Sequence, residues 1–358
     1  MPRVFAFFVE PSSYTLDLII NIHDKLNIKY IFLKENSLAN SESNKIDNFL
    51  GRLSLLKQIF YVFNVFRKNQ IIIFNGYIHW QFIMLFFFNL IASKKRIIAI
   101  ESDTKFKITN GLKGWLKQKY LRTIFTRKHV LGFAGGSGVH KDLFRNYGMK
   151  EVNIFLAPLM INNSYFKNQG TEKPAIFSFL FVGRIISIKN IEFLIHSFLN
   201  KFKDNDSVNL KIVGTGELVG FLKLKFSAEK NIFFRGAKFG EDLLKEYHTS
   251  NIFVLPSKFE PWGLVVNEAM AAGLPVISSS EVGANFDLII NKDTGYVFEI
   301  SDEDDLSEKM FILYSDKKKY NLFSKNALNL MTNHWNYDLY RENLLLAINY
   351  GKKMIKNE

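Results

Sequence analysis

The stretch Ser257–Ile277, SKFEPWGLVVNEAMAAGLPVI, decides how this chain is to be read. Seven residues separate its two glutamates, Glu260 and Glu268. The short apolar run that precedes it, Asn251–Leu255, has the look of a buried parallel strand. Pro261 and Gly263 predict a helix beginning near Gly263, closed by Gly273, and Pro275–Ile277 then reads as the next strand. The order is therefore strand, loop, helix, strand. One acid lies in the loop and the other on the helix. Carboxylates so placed can accept hydrogen bonds from sugar hydroxyls, while the free N–H groups of a helix start suit a phosphate. Two carboxylates also fit acid/base work as in glycoside hydrolysis, but the phosphate-binding candidates beside them favour binding roles.

The same alternation of short apolar runs and amphipathic segments extends outward in both directions. Strands are predicted at Val4–Val9, Tyr30–Leu33, Ile71–Phe74, Arg96–Ile100, Val130–Ala134 and Asn153–Leu156 in the first half. In the second they fall at Ser178–Val182, Asn209–Val213, Ile232–Phe234, Ile252–Leu255 and Pro275–Ser278. This is the pattern of an α/β chain with two Rossmann-like, doubly wound parallel sheets that open on a shared cleft. The expected domains are 1–165, 166–334 and a last helix, 335–358, returning to the first domain. The polar segment Asn162–Pro174 is the expected hinge.

Composition narrows the function. The chain has 358 residues, is 47% hydrophobic and contains no cysteine, which excludes disulfides and thiolate metal sites and suits a reducing compartment. Met1–Glu10 reads as a strand rather than a signal peptide. Trp80–Ala92, the most apolar run, is 13 residues long. A spanning helix needs about 20, so a buried helix is expected there. The net charge of +13 sits in one half: residues 1–165 hold 23 Lys and Arg against 10 Asp and Glu, whereas the remainder balances at 24 and 24. Residues 104–141 carry nine cations and no acid. An anionic partner is implied, and Gly111–Val130, with six basic residues among Trp115, Leu116, Tyr120, Leu121, Ile124 and Phe125, fits an interfacial helix or a core helix with a solvated basic face.

Other site candidates follow strand ends. Gly183-Arg184 with Lys189 supplies a cationic pair able to neutralise a diphosphate, unless the two are unrelated loop residues. Gly214-Thr-Gly216 allows a tight turn, as common in structure as in phosphate binding. Arg235-Gly236 ends another strand. Asp204-Asn205-Asp206 reads as a solvated turn, and the seven histidines show no paired ligand spacing, so no metal site is expected.

In order and spacing, Gly183, Arg184, Lys189, Gly214, Gly216, Arg235, Gly236, Ser257, Glu260, Gly263, Glu268, Ala271, Gly273, Pro275, Gly283 and Gly295 resemble the nucleotide-sugar domain of retaining GT-B glycosyltransferases of the family 4 type. The resemblance implies transfer of a sugar from a nucleoside-diphosphate donor to a hydroxyl of a glycan or lipid-linked acceptor, in bacterial surface polysaccharide assembly (O-antigen, capsule or lipopolysaccharide). It implies no metal and no cofactor. By it, Arg184 and Lys189 hold the diphosphate, Glu260 the transferred sugar and Glu268 the ribose. Amides around Gly263 and Leu264 meet the phosphates, with Gly183, Gly214, Gly216, Arg235 and Ser257 completing the donor side.

The first half matches less. Glu10-Pro-Ser-Ser13 replaces the family's glycine-rich loop, and Asn75-Gly76-Tyr77 with His79 looks like its Gly-Tyr turn. Asp103, with Glu101 as second choice, takes the acceptor-facing polar position, against a helix cap at Asp103 or Thr104 as the alternative. A cytoplasmic protein that attaches peripherally to an anionic membrane is expected, with no nucleic-acid partner. Two rival functions are a sugar-nucleotide epimerase of the same fold and a non-enzymatic binder of anionic membrane or nucleic acid.

Overall fold

A computed structural model describes residues 3–35, 48–168, 170–290 and 293–356. The chain divides into two compact units. The first runs to Leu159 and takes in the segment from Tyr337 onward; the second is Met160–Asn336. The breaks lie at 159/160 and 336/337, against the expected 165/166 and 334/335.

Each unit is built on a six-stranded sheet whose named pairs are all parallel. In the first the order is β2-β1-β3-β4-β5-β6, with β1 Val4–Phe8, β2 Lys29–Phe32, β3 Ile71–Asn75, β4 Ile97–Ser102, β5 Val130–Ala134 and β6 Ile154–Leu156. In the second it is β12-β11-β10-β7-β8-β9, with β7 Phe177–Val182, β8 Val208–Val213, β9 Ile232–Gly236, β10 Ile252–Leu255, β11 Val276–Ser279 and β12 Gly295–Phe298. Both sheets are of the Rossmann-like α/β type that the sequence predicts. Central strands such as β1, β5 and β10 are buried at every residue, which is why they appear in sequence as unbroken apolar runs. β12 escapes that reading because it is an edge strand, half-exposed over three of its four residues.

In the first unit, one side of the sheet packs Phe5, Phe7, Ile72, Phe74, Ile98 and Ile100 against the inner faces of α2 (Leu55–Lys68), α3 (Trp80–Ile91), α4 (Gly111–Phe125) and α5 (Val139–Asn146). The last helix, α14 (Tyr337–Lys356), uses the other side: Gly351 lies against Ile71 and Ile97 so closely that a Cβ there would sit 3.1 Å from Ile97. Strand alternation makes the division, since residues one apart face opposite sides.

Three sequence expectations need correction. α3 is not a buried helix: it buries Gln81, Phe82, Leu85 and Asn89 but leaves Ile83, Phe87, Leu90 and Ile91 exposed. It carries two apolar stripes, and the sheet covers only one. Residues 103–110 are not helical and Asn110 precedes α4, so neither Asp103 nor Thr104 is a helix cap. The expected hinge is pinned at its start. Asn163 donates to the carbonyls of Met331 (2.6 Å) and Trp335 (2.9 Å), Phe166 is buried, and its carbonyl meets His248 at 2.9 Å.

His23 has a measurable consequence. It is fully buried, stacks edge-on to Phe8 at 5.3 Å, and neither ring nitrogen has a hydrogen-bond partner among the described residues. Burial pushes its imidazole down to about 4. Between pH 6.5 and 4 the unfolded chain therefore binds a proton that the folded unit refuses, and stability falls as pH drops. The expected loss from this group between pH 7.5 and 5 is ~2 kcal/mol. Chemical denaturation at the two pH values checks it: His23→Leu should shrink the pH difference by that amount, and an unchanged difference would refute the assignment.

Candidate functional site

In the second unit the chain leaves β7 for β8 and β9 on one side, then returns through β10 to β11 and β12 on the other. The order reverses between β7 and β10, and it is at such switch points, beyond the carboxyl ends of the strands, that open parallel sheets hold ligands. The two adjacent loops are the ones that carry the candidate residues.

After β7, Gly183 and Arg184 lead into a single 3₁₀ turn, Ser187–Lys189. After β10, Ser257–Gly263 leads into α10, Leu264–Ala271. Lys189 and Glu260, 71 residues apart in sequence, form an ion pair with only 12% and 16% of their side-chain surfaces exposed. The buried Ser257 hydroxyl donates to the same Glu260 oxygen at 3.3 Å, and the Lys258 N–H reaches the Ile188 carbonyl at 2.8 Å, tying the loops together. From the far side, the Glu260 N–H donates to the Glu281 carbonyl at 3.2 Å and its carbonyl accepts from the Gly283 N–H at 3.1 Å. Arg184 is exposed and has no ion pair among the described residues.

Gly263 caps α10 with φ +98°, a left-handed conformation glycine adopts without strain. Leu264 opens the helix, so its first N–H groups point out of the helix end. Glu268 sits one turn further. The Tyr247 hydroxyl of α9 (Gly240–His248) donates to it at 2.6 Å, and burial pushes its carboxyl up to about 7, partly opposed by that hydrogen bond. Gly214 and Gly216 serve the architecture. A Cβ on Gly214 would lie 1.8 Å from the Gly183 carbonyl oxygen, and one on Gly216 would lie 2.3 Å from that of Ile185. The β8 loop thus presses backbone-to-backbone on the β7 loop. Arg235 spends its guanidinium on Glu246 of α9 at 2.9 Å, compensating a carboxylate only 5% exposed. Asp204 and Asp206 are exposed in the turn that enters β8, at the amino end of the sheet.

The first unit has its own switch point, between β1 and β3. Beyond β3, Gly76 turns with φ +85° and its N–H donates to the Glu101 carbonyl at 2.8 Å. The Glu101 carboxylate accepts from Asn75 at 3.3 Å and from Tyr340 of α14 at 3.1 Å, and burial raises its pKa. Asp103 is exposed just beyond β4. Beyond β1, Ser12 caps α1 (Ser13–Leu18), and the neighbouring Tyr14 hydroxyl is raised in pKa, chiefly by burial and less by Asp103 and Glu101. Asn75, Glu101, Asp103 and Tyr14 thus gather at one end of the sheet. Sequence reading missed Tyr340, Tyr247 and Tyr14. The first two are buried positions of amphipathic helices, and nothing in their spacing separates a hydrogen-bonding tyrosine from an ordinary core residue. A cavity of about 760 Å³ near Val4, Lys29 and Val65 opens at the opposite, amino end and takes no part in this arrangement.

Two parallel-sheet units with candidate residues at both switch points define a GT-B type α/β protein, and solved structures agree. The chain overlays the *Anabaena* Alr3699/HepE structure in complex with UDP with a TM-score of 0.77 at 15% identity, covering 98% of this chain and 100% of that one. WaaG, a glycosyltransferase involved in lipopolysaccharide biosynthesis, gives 0.63 at 14% identity over 98% of each chain. Residues 163–330 match the family described as Glycosyl transferases group 1. Among its relatives is an *Escherichia coli* UDP-Gal:alpha-D-GlcNAc-diphosphoundecaprenol alpha-1,3-galactosyltransferase, 33% identical over 165 residues. The alignment covers 45% of this chain and 42% of the relative. The *Staphylococcus aureus* capsular polysaccharide biosynthesis glycosyltransferase CapM is 26% identical over 236 residues, covering 64% and 58%. The chain thus spans about half the length of these two relatives.

Proposed function

We propose that this chain is a retaining glycosyltransferase of the family 4 type. It moves a sugar from a nucleoside-diphosphate donor, without a metal ion, to a hydroxyl of a glycan or lipid-linked acceptor in the assembly of a bacterial surface polysaccharide. The observation that carries the reading is the Lys189–Glu260 pair at the switch point of the second unit, beside the exposed Arg184 and the α10 helix start. A sugar diphosphate presents to such a site a hydroxyl-bearing ring and an anionic leaving group. Glu260, already oriented by Ser257 and Lys189, accepts from a sugar hydroxyl. Lys189 and Arg184 stabilise the charge that develops on the diphosphate as the glycosidic bond breaks. Glu268 accepts from the ribose, and the Leu264 end of α10 faces phosphate oxygens. The departing phosphate takes the acceptor's proton, and the new bond forms on the face the diphosphate left. Asp103 and Glu101 bind the acceptor. The basic first unit draws the protein to the inner face of the plasma membrane.

Thermal unfolding with a panel of nucleoside diphosphates in chelator tests the donor half. UDP comes first, because the *Anabaena* protein was crystallised with UDP, and also with UDP and glucose. A nucleotide at about 100 times its Kd should stabilise the unit by ~2.7 kcal/mol. No shift with any nucleotide, for protein shown to be folded, would overturn the reading. Product analysis separates transfer from epimerisation, since only transfer enlarges the acceptor.

A further inference from the structure

The outward stripe of α3 is an unusual surface. Ile83, Phe87, Leu90 and Ile91 are 47%, 58%, 41% and 69% exposed, at spacings that place them on one face of the helix. α2 packs beside it through a Phe63–Phe88 ring contact at 5.4 Å and exposes Leu56 and Phe60 (70% and 66%). The next helix on that side of the sheet, α4, begins with exposed Leu112, Trp115 and Leu116. Exposed apolar side chains grouped along helix faces, rather than scattered singly, mark an interaction site.

Charge says which partner fits. Residues 104–141 carry no acid; Lys107 and Lys113 are exposed around the start of α4 and Lys119 further along it, 4.2 Å from the centre of the Trp115 ring. Lys94 and Lys95 close the other end of α3. An apolar stripe rimmed by cations and an aromatic is the chemistry of an anionic lipid surface. No helix among the described residues is long and apolar enough to cross a membrane. α3, with 12 residues, is about 18 Å long, against a hydrocarbon core of about 30 Å, so it can lie in the interface but not span it. The connections also place it: α3 and α4 follow β3 and β4, so their first turns lie at the carboxyl end of the sheet, where Asn75, Glu101 and Asp103 gather.

We propose that the outward faces of α2 and α3, flanked by the basic start of α4, dock onto an anionic lipid leaflet, with the α3 stripe at the acyl boundary and Lys107, Lys113 and Lys119 at the phosphates. This names the surface for the membrane association proposed above. It moves the apolar contact from α4, where the sequence suggested it, to α3. Docked this way, the first unit holds its carboxyl-end residues beside the bilayer surface, where the hydroxyl of a lipid-linked acceptor would be found.

The test is flotation of the full chain with vesicles of phosphatidylglycerol and phosphatidylcholine in equal parts, and with phosphatidylcholine alone. The intact chain should float with the anionic vesicles and at least tenfold less with the neutral ones. Ile83→Asp with Phe87→Asp should lower anionic-vesicle binding at least tenfold while the unfolding midpoint stays put, because both side chains are exposed. Leu90→Asp with Ile91→Asp repeats the test further along the stripe. Lys107→Ala and Lys113→Ala should each weaken binding about fivefold, the equivalent of ~1 kcal/mol per cation near an anionic leaflet. The proposal fails if both α3 double variants float like the intact chain, or if neutral vesicles bind as well as anionic ones. It fails too if the intact chain ignores vesicles but is a dimer that the α3 variants split, which would make the face a self-association surface. Flotation needs no donor, so its outcome is independent of the nucleotide-binding test.

Discussion

Arg184→Ala should lower turnover at saturating donor about 10²–10³-fold, a loss of ~3 kcal/mol of transition-state stabilisation, while leaving the stability of the second unit unchanged. Arg184 is exposed and has no ion pair among the described residues, so the fold loses little with it. Its proposed work is done only when negative charge develops on a leaving diphosphate. Lys189→Ala should cost a similar factor in turnover but also ~1–3 kcal/mol of stability, because it leaves the largely buried Glu260 carboxylate without its counter-charge. Adding Glu260→Gln should then recover stability and not turnover. Steady-state kinetics and chemical denaturation on the three variants check the pattern. Full turnover by Arg184→Ala would remove it from the site, and rescue of turnover by the double variant would make the pair purely structural.

Gly214→Ala should destabilise the second unit by ~3 kcal/mol or more and abolish donor binding together with it. The added methyl meets a backbone oxygen at 1.8 Å, and the backbone there has φ +141°, which L side chains rarely adopt. Nothing at the contact is a flexible side-chain end, so the β7 and β8 loops must part, and Arg184 and Lys189 move with the β7 loop. Overpacking in a well-packed core costs 1–3 kcal/mol where side chains can adjust, and here neither partner can. Gly220→Ala is the control. It lies in α8 (Val219–Lys225) with nothing within 4 Å of an added Cβ, and should stabilise the unit by ~0.5–1 kcal/mol. Denaturant midpoints decide the matter: equal effects from both substitutions would mean that the contact of the two loops is not tight in solution.

The order of sheet elements was legible because central parallel strands bury both faces and so leave unbroken apolar runs, as at Val130–Ala134 and Ile252–Leu255. The two-glutamate segment was legible because local chain chemistry dictates it: Gly263 at a left-handed helix start, then an eight-residue helix that carries Glu268. Edge strand β12 was not legible, since a half-exposed four-residue strand leaves no apolar run. The glycines at 214 and 216 marked a turn, but only the packing of β7 beside β8 shows what the turn presses on.

What the sequence determined by itself was whatever depends on neighbours along the chain: strand and helix periodicity, turn residues, and the excess positive charge of the first half. Tertiary structure alone decided what depends on neighbours in space. It joined Lys189 to Glu260 across 71 residues and Tyr340 to Glu101 across 239. It also chose which of two apolar stripes on α3 the core would take. A helix rotates as one body and a sheet face covers one side of it, so periodicity states that both stripes exist and packing decides which stays in water.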